Sequence, residues 1–305
     1  MSPNLDLDKG AKELTSHLRK KKLVIFVGSG VSIAAGLPSW DGPLLKFLDF
    51  CEKLQEKLDP KYKFSKLIED ARKESNRRYP TRIASALKHQ LIEIQNSHAI
   101  NVSDLFQDWM DDMFSVETPH SNHRLIVRTN FPFILTSNYD RLLEKAADDE
   151  NFFELKMRSF TFKQPEKVAM AVYGRDPAII HIHGNKRDLA LDDFVFTAED
   201  YVRIRNMYPG FTMALQSIFM NFSVLFLGYG GSDPHLEDFI EQMCFGMNWV
   251  KSESLPSYFL VLRKDKVDQV LTKYKDRLRT RLIVLDNYDQ TALLLRRLQK
   301  ACPRK

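Results

Sequence analysis

The sequence predicts an α/β fold: a Rossmann-like parallel sheet with a helical insert subdomain. Three observations carry this prediction. Short apolar runs recur along the chain, helix-compatible segments separate most of them, and several runs end in glycine, amide, imidazole or carboxylate. Runs without polar alternation suit strands covered on both faces, and their alternation with helices is the pattern of a doubly wound sheet.

In order, the runs are Leu23 to Val27, Phe133 to Thr136, Ile179 to Ile182, Val224 to Leu227, Tyr258 to Leu262 and Leu282 to Leu285. Between the first two, helix-period apolar spacing marks Pro43 to Leu58, Phe64 to Lys73, Arg82 to Gln95 and Val102 to Phe114. No strand signal interrupts these segments. The expected organisation is therefore a Rossmann-like domain built from residues 1–40 and 130–305, with residues 41–129 as the helical insert. A second insertion, roughly 150 to 177 and then 186 to 210, is expected to hold a short strand near Ser159 to Phe162 and a loop-rich stretch.

Composition bounds the function. Of 305 residues, 44% are hydrophobic and 11% aromatic, enough for a sizeable core and against disorder. The net charge of +5 is spread through the chain, the dense basic runs being Arg19 to Lys22 and Arg304-Lys305. A nucleic-acid binder concentrates such charge on one face, so no direct nucleic-acid binding is expected. Cys51, Cys244 and Cys302 form no C-x-x-C pair, which excludes a four-cysteine zinc site and a disulfide framework, and no metal is expected. The opening MSPNLDLDKGAKEL lacks a signal-peptide core, and no run approaches the roughly 18 apolar residues of a membrane span. The expected location is cytoplasmic, away from membranes.

The strand ends carry the chemistry. Leu23 to Val27 runs into Gly28-Ser29-Gly30-Val31-Ser32, where glycine permits a tight turn and a close approach to a pyrophosphate. A helix beginning near Val31 would aim N–H groups at that anion, and Ser29 and Ser32 add hydroxyls. Ile33 replaces the third glycine of a dehydrogenase fingerprint. The later strands end in Thr136-Ser137-Asn138-Tyr139-Asp140, His183-Gly184-Asn185, Gly228-Tyr229-Gly230-Gly231-Ser232-Asp233 and Asp286-Asn287. In open α/β sheets the ligand lies outside these carboxyl ends. His181 is expected to be a satisfied core histidine, and His183, beside Gly184, a site residue.

Together with Gly36-Leu37-Pro38-Ser39-Trp40 and His181-Ile182-His183-Gly184, these motifs resemble the ordered motifs of the sirtuin superfamily, in its bacterial antiphage-defence branch. The resemblance covers residues 22–40 and 132–300. It implies that NAD+ is bound as substrate, with Gly28, Ser29, Gly30 and Ser32 around the phosphates and Gly184 in the same cofactor-binding set. It assigns a ribose hydroxyl and the attacking water to Asn138, the nicotinamide carboxamide to Asp140 and general-base work to His183. Gly228, Ser232 and Asp233 fall on the adenosine side, and Asp286 near the adenine. Three departures matter: no zinc ribbon, Ser39-Trp40-Asp41 in place of Asp-Phe-Arg, and Ser137 before the key asparagine.

The implied activity is hydrolysis of the nicotinamide–ribose bond to nicotinamide and ADP-ribose, depleting NAD+ in antiphage defence. A non-catalytic NAD+ or ADP-ribose assembly module and an NAD-dependent deacylase are the alternatives. Because unregulated NAD+ loss is toxic, homo-oligomerisation and a partner such as a HerA-type ATPase or a short Argonaute are expected.

Overall fold

A computed structural model describes residues 4–304, except 39–40, 59–63, 75–79, 98–100, 151–156, 188–189, 196, 231–233, 247–254 and 263–278. After β1 (Asn4–Leu5) and α1 (Leu7–Arg19) come β2 (Leu23–Val27) and the one-turn α2 (Ser29–Ile33). The expected insert, residues 41–129, holds the helices α3 (Asp41–Glu56), α4 (Ser65–Glu74), α5 (Pro80–Asn96), α6 (Val102–Met113) and α7 (Ser121–Arg128). The chain continues through β3 (Phe133–Thr136), α8 (Leu142–Asp149), β4 (Arg158–Thr161), α9 (Pro165–Gly174) and β5 (Ala178–His181). It then passes through α10 (Ala198–Met207), α11 (Pro209–Asn221), β6 (Ser223–Leu227), α12 (Pro234–Gly246), β7 (Ser257–Leu262), β8 (Thr280–Leu285) and α13 (Asp289–Ala301).

The eight described strands form one parallel sheet in the order β1-β8-β7-β6-β2-β3-β5-β4. Every apolar run read from the sequence is a strand, with ends shifted by two residues at most. Two strands differ from expectation. β1 is a two-residue edge that carries no periodicity to read. β4 pairs in register with β5, so the supposed second insertion begins as a strand–helix–strand unit of the sheet itself. The stretch after it is not loop-rich throughout, because α10 occupies residues 198–207.

Side-chain alternation divides the core in two. Val24, Phe26, Phe133, Leu135, Ile180, Val224 and Phe226 point to the face covered by α3 to α6 and α9 to α12. Leu23, Ile25, Val27, Ile134, Ile179, Leu225 and Leu227 face α1, α7, α8 and α13. All five residues of β2 are fully buried, as its central place requires, and at about 1.5–3 kcal/mol per large apolar side chain this strand anchors both layers. Among the described residues the expected insert has no separate core: Phe47, Leu87 and Phe106 join one apolar cluster of the sheet, and Ile126 and Val127 the other.

From β2 the chain moves to β3 and outward to β4, then returns through β6 to the other side of β2. That reversal makes a crevice outside the carboxyl ends of β2, β3 and β6, the ligand position in open α/β sheets.

Candidate active site

The two glycine turns at the crevice are packed against each other, backbone on backbone. Gly28 N–H donates to Leu227 O and Gly30 N–H to Gly228 O, both at 2.9 Å. A Cβ on Gly28 would fall 2.5 Å from Gly228 O, and one on Gly228, at φ +65°, would fall 2.6 Å from Val31 N. These glycines therefore join β2 to β6 at the switch point, and two amides expected to face phosphate are already engaged. α2 begins at Ser29, two residues earlier than expected.

Below this turn lies a buried polar layer. Thr136 Oγ1, at the end of β3, donates to Val27 O (2.9 Å) and accepts Asn138 N–H (3.1 Å), tying the Asn138 turn to β2. Asn138 Nδ2 donates to Gly28 O (3.3 Å) and Ser32 Oγ (3.1 Å). Ser32 Oγ donates to Asp140 Oδ2 at 2.8 Å, and Asp140 Oδ1 accepts Leu142 N–H at 3.1 Å. Burial pushes the Asp140 carboxyl up, opposed by those two donors. His123 Nε2, from α7, lies 3.3 Å from Ser32 Oγ. Burial holds the His123 imidazole down at about 4, so it is neutral.

His181 supports the same turn from β5. Its Nδ1 meets Asn138 O at 2.9 Å and its Nε2 meets Glu144 Oε1 at 2.8 Å, a carboxylate that also accepts Ser159 Oγ at 2.8 Å. Burial opposes charge on both partners, but their mutual attraction and hydrogen bonds outweigh it. The His181 imidazole is raised and Glu144 falls to about 2. The expected satisfied core histidine is thus an imidazolium clamped between a carboxylate and the Asn138 carbonyl.

His183 has different company. It is fully buried, with Tyr139 and Tyr201 rings at 6.3 and 5.5 Å between centroids, and burial lowers it to about 3. Tyr139 donates to Val195 O, and the Phe194 ring packs tilted against Phe47 and edge-on against Phe106 and Trp109. Lys88 of α5 donates to Phe194 O and Asp200 Oδ1, both at 2.6 Å, with little exposure on either side chain. Segment 190–207 is thereby held between the insert and His183.

The structure brings together Gly28, Ser29, Gly30, Ser32, Asn138, Asp140 and Gly228, with His183 and Gly184 one strand further on, beyond β3. Asp286 stands apart: it ends β8, three strands or about 14 Å from β2, is exposed, and bonds Gln290. Ser232 and Asp233 lie outside the described residues, as do Ser39 and Trp40. Sequence reasoning missed His123 and Glu144. The available signal was a polar residue on the buried face of an amphipathic helix, His123 among Ile126 and Val127, and Glu144 among Leu142, Leu143 and Ala147.

A parallel sheet with a glycine turn and a buried Asn-Tyr-Asp turn at its switch point defines a doubly wound α/β protein with its crevice at the carboxyl ends of the strands. The SIR2-like domain model matches residues 132–291, more than half of the chain, and the chain belongs to that family. It is similar to the NAD(+) hydrolase ThsA of Bacillus cereus (strain MSX-D12), 22% identical over 94% of this chain and 56% of that protein. It is also similar to Defense-associated sirtuin 2 of Bacillus subtilis (23%, over 81% of this chain and 21% of that protein). A third relative is the NAD(+) hydrolase ThsA of Acinetobacter baumannii (strain 532279), 25% identical over 73% and 39%. The chain thus spans little more than half of the first of these proteins and less of the others.

Proposed function

We propose that the chain is an NAD+ hydrolase domain of antiphage defence, breaking the nicotinamide–ribose bond with water to give nicotinamide, ADP-ribose and a proton. The observation that carries the reading is the linkage of Asn138, Asp140 and Ser32 in one buried network at the switch point. Similarity to proteins named NAD(+) hydrolase adds to it.

The bond is already primed, because the leaving group is a cationic pyridinium that departs with the bonding electrons as neutral nicotinamide. The protein must orient that ring, stabilise positive charge on the ribose and place water. Both hydrogens of Asn138 Nδ2 are assigned, to Gly28 O and Ser32 Oγ, so its carboxamide oxygen is the atom that would hold water. Asp140 accepts from the nicotinamide carboxamide, and Ser29 takes the phosphates. A histidine held near 3 is too weak a base for proton removal at neutral pH, so His183 acts once segment 190–207 has moved and solvent or ribose reaches the ring.

In this reading residues 1–40 and 130–305 are the NAD+-binding domain and residues 41–129 the insert. The protein is cytoplasmic, assembles as a homo-oligomer and answers to a partner protein; no described helix is long and apolar enough to cross a membrane. The closed packing of His183 favours one second reading, a non-catalytic module that binds NAD+ or ADP-ribose.

Nicotinamide release from NAD+ separates the two. The purified chain is expected to release it, and Asn138→Ala to lower turnover by about 10²–10³-fold, the scale of losing one preorganised polar group. NAD+ binding without product over a long incubation would favour the module instead.

A further inference from the structure

We infer that His123 is a positioning residue for this reaction, acting through Ser32 on Asp140 and Asn138. The inference rests on the reading of the site as NAD+-cleaving.

His123 belongs to the N-terminal cap of α7. His120 Nδ1 accepts Asn122 N–H, and His123 Nδ1 accepts His120 N–H at 3.2 Å, a histidine version of the capping box. With Nδ1 occupied as an acceptor and the ring neutral, the proton sits on Nε2. Nε2–H is then the donor across 3.3 Å to Ser32 Oγ. Asn138 Nδ2–H is a second donor to the same oxygen at 3.1 Å.

A hydroxyl has two lone pairs and one hydrogen. With both lone pairs filled, the Ser32 hydrogen has one remaining direction, and Asp140 Oδ2 lies 2.8 Å along it. Without His123, one lone pair empties and the hydroxyl is free to turn. Asp140 then loses a directed donor, and the Asn138 carboxamide loses the saturated oxygen that fixes its plane.

The donor stands on a rigid element. The far end of α7 is closed by the half-buried Arg304, whose guanidinium donates to Val127 O (3.0 Å), Thr129 O (3.3 Å) and Phe131 O (2.6 Å). A group held by other groups sets geometry more tightly than one on a loop. Ser32, expected to touch phosphate, has its hydroxyl committed to this network.

The test uses the purified full chain with NAD+ and four variants: His123→Leu, His123→Gln, Ser32→Ala and the His123→Leu/Ser32→Ala double. Positional loss without loss of binding lowers kcat about tenfold to a hundredfold in His123→Leu, with KM within about threefold. His123→Gln, whose amide N–H reaches the place of Nε2–H, recovers most of that loss at an equal melting temperature. The double variant is no slower than Ser32→Ala, because the two residues act as one unit. Additive losses, or an unchanged kcat in His123→Leu, overturn the inference.

A second measurement does not need turnover. The imidazole 15N spectrum at pH 7 is expected to show His123 as the Nε2–H tautomer, with its Nε2 resonance moving in Ser32→Ala. An Nδ1–H tautomer, an imidazolium, or no response to Ser32→Ala overturns the inference, including where His123→Leu fails to fold. Absence of nicotinamide release from wild type would instead overturn the NAD+ reading, leaving the spectrum to decide the role of His123.

Discussion

The two histidines of the His-Ile-His run stand two residues apart and live in opposite environments. His181 is on the polar floor of the site, where Ser32, Asn138, Asp140, Glu144 and His123 are linked with it through hydrogen bonds of 2.8 to 3.3 Å. His183 is under an aromatic roof made by Tyr139, Tyr201 and the segment held by Phe194 and Lys88. The floor is an organised network whose members fix one another's direction, while the roof covers a weakly basic imidazole with rings. In the proposed reading the floor is built before NAD+ arrives, and the roof opens for it.

Three predictions test that contrast. The largest effect is expected on the floor. Glu144→Leu leaves the His181 imidazole and Ser159 hydroxyl without their carboxylate, and removing one partner of a buried pair costs about 3–5 kcal/mol. Urea unfolding at pH 7 reads this; a loss below about 1 kcal/mol would mean that the pair is not the support of the Asn138 turn.

The pH dependence of stability is next, taken per pH unit. His123 and His183 are held at about 4 and about 3, below the ordinary 6.5. The unfolded chain therefore takes up protons first as pH falls below 6.5, and each ring weakens the fold by about 1.4 kcal/mol per pH unit until its folded value is reached. Glu144, lowered to about 2, adds to the loss below 4.5, while Asp140, raised by burial, partly offsets it. His181 is raised, so its contribution is complete below 6.5 and fades as pH climbs through its folded value. Stability is expected to peak near pH 6.5, and a flat profile between pH 4 and 6.5 would contradict the neutral burial of His123 and His183.

The smallest effect is expected on the roof. Tyr201→Ala removes one ring from His183 and, as Tyr201 is 7% exposed, costs about 3 kcal/mol or somewhat less. It also admits water, so the His183 imidazole moves up from about 3 toward its ordinary value in an NMR titration, while the His181 resonance stays put. If both moved together, floor and roof would be one unit.

How much of this was legible follows from the kind of signal. β2 to β8 were legible, with β4 seen only as a short strand, because strands buried on both faces need unbroken apolar runs, and the insert helices because one face of each must be apolar. Asn138, Asp140 and the glycine turns were legible because they follow strands directly. His123 and Glu144 were not, because a buried polar side chain in a helix has no local pattern. Their partners lie 91 and 37 residues away, at Ser32 and His181. Asp286 looked like the other strand ends, and only strand order removed it from the crevice. Arg304, grouped with Lys305 as a basic run, is a half-buried cap whose three carbonyl partners no spacing in the sequence joins to it.

Periodicity and turn chemistry act over a few residues, so the strands, the helices between β2 and β3 and the polar strand ends can be read along the chain. Which of those ends share the crevice, that the Ser32 hydroxyl serves Asp140, and that His183 lies covered emerge only from packing. Strand order, hydroxyl direction and burial arise from groups far apart in the chain whose lone pairs, hydrogens and surfaces are matched only when the layers close.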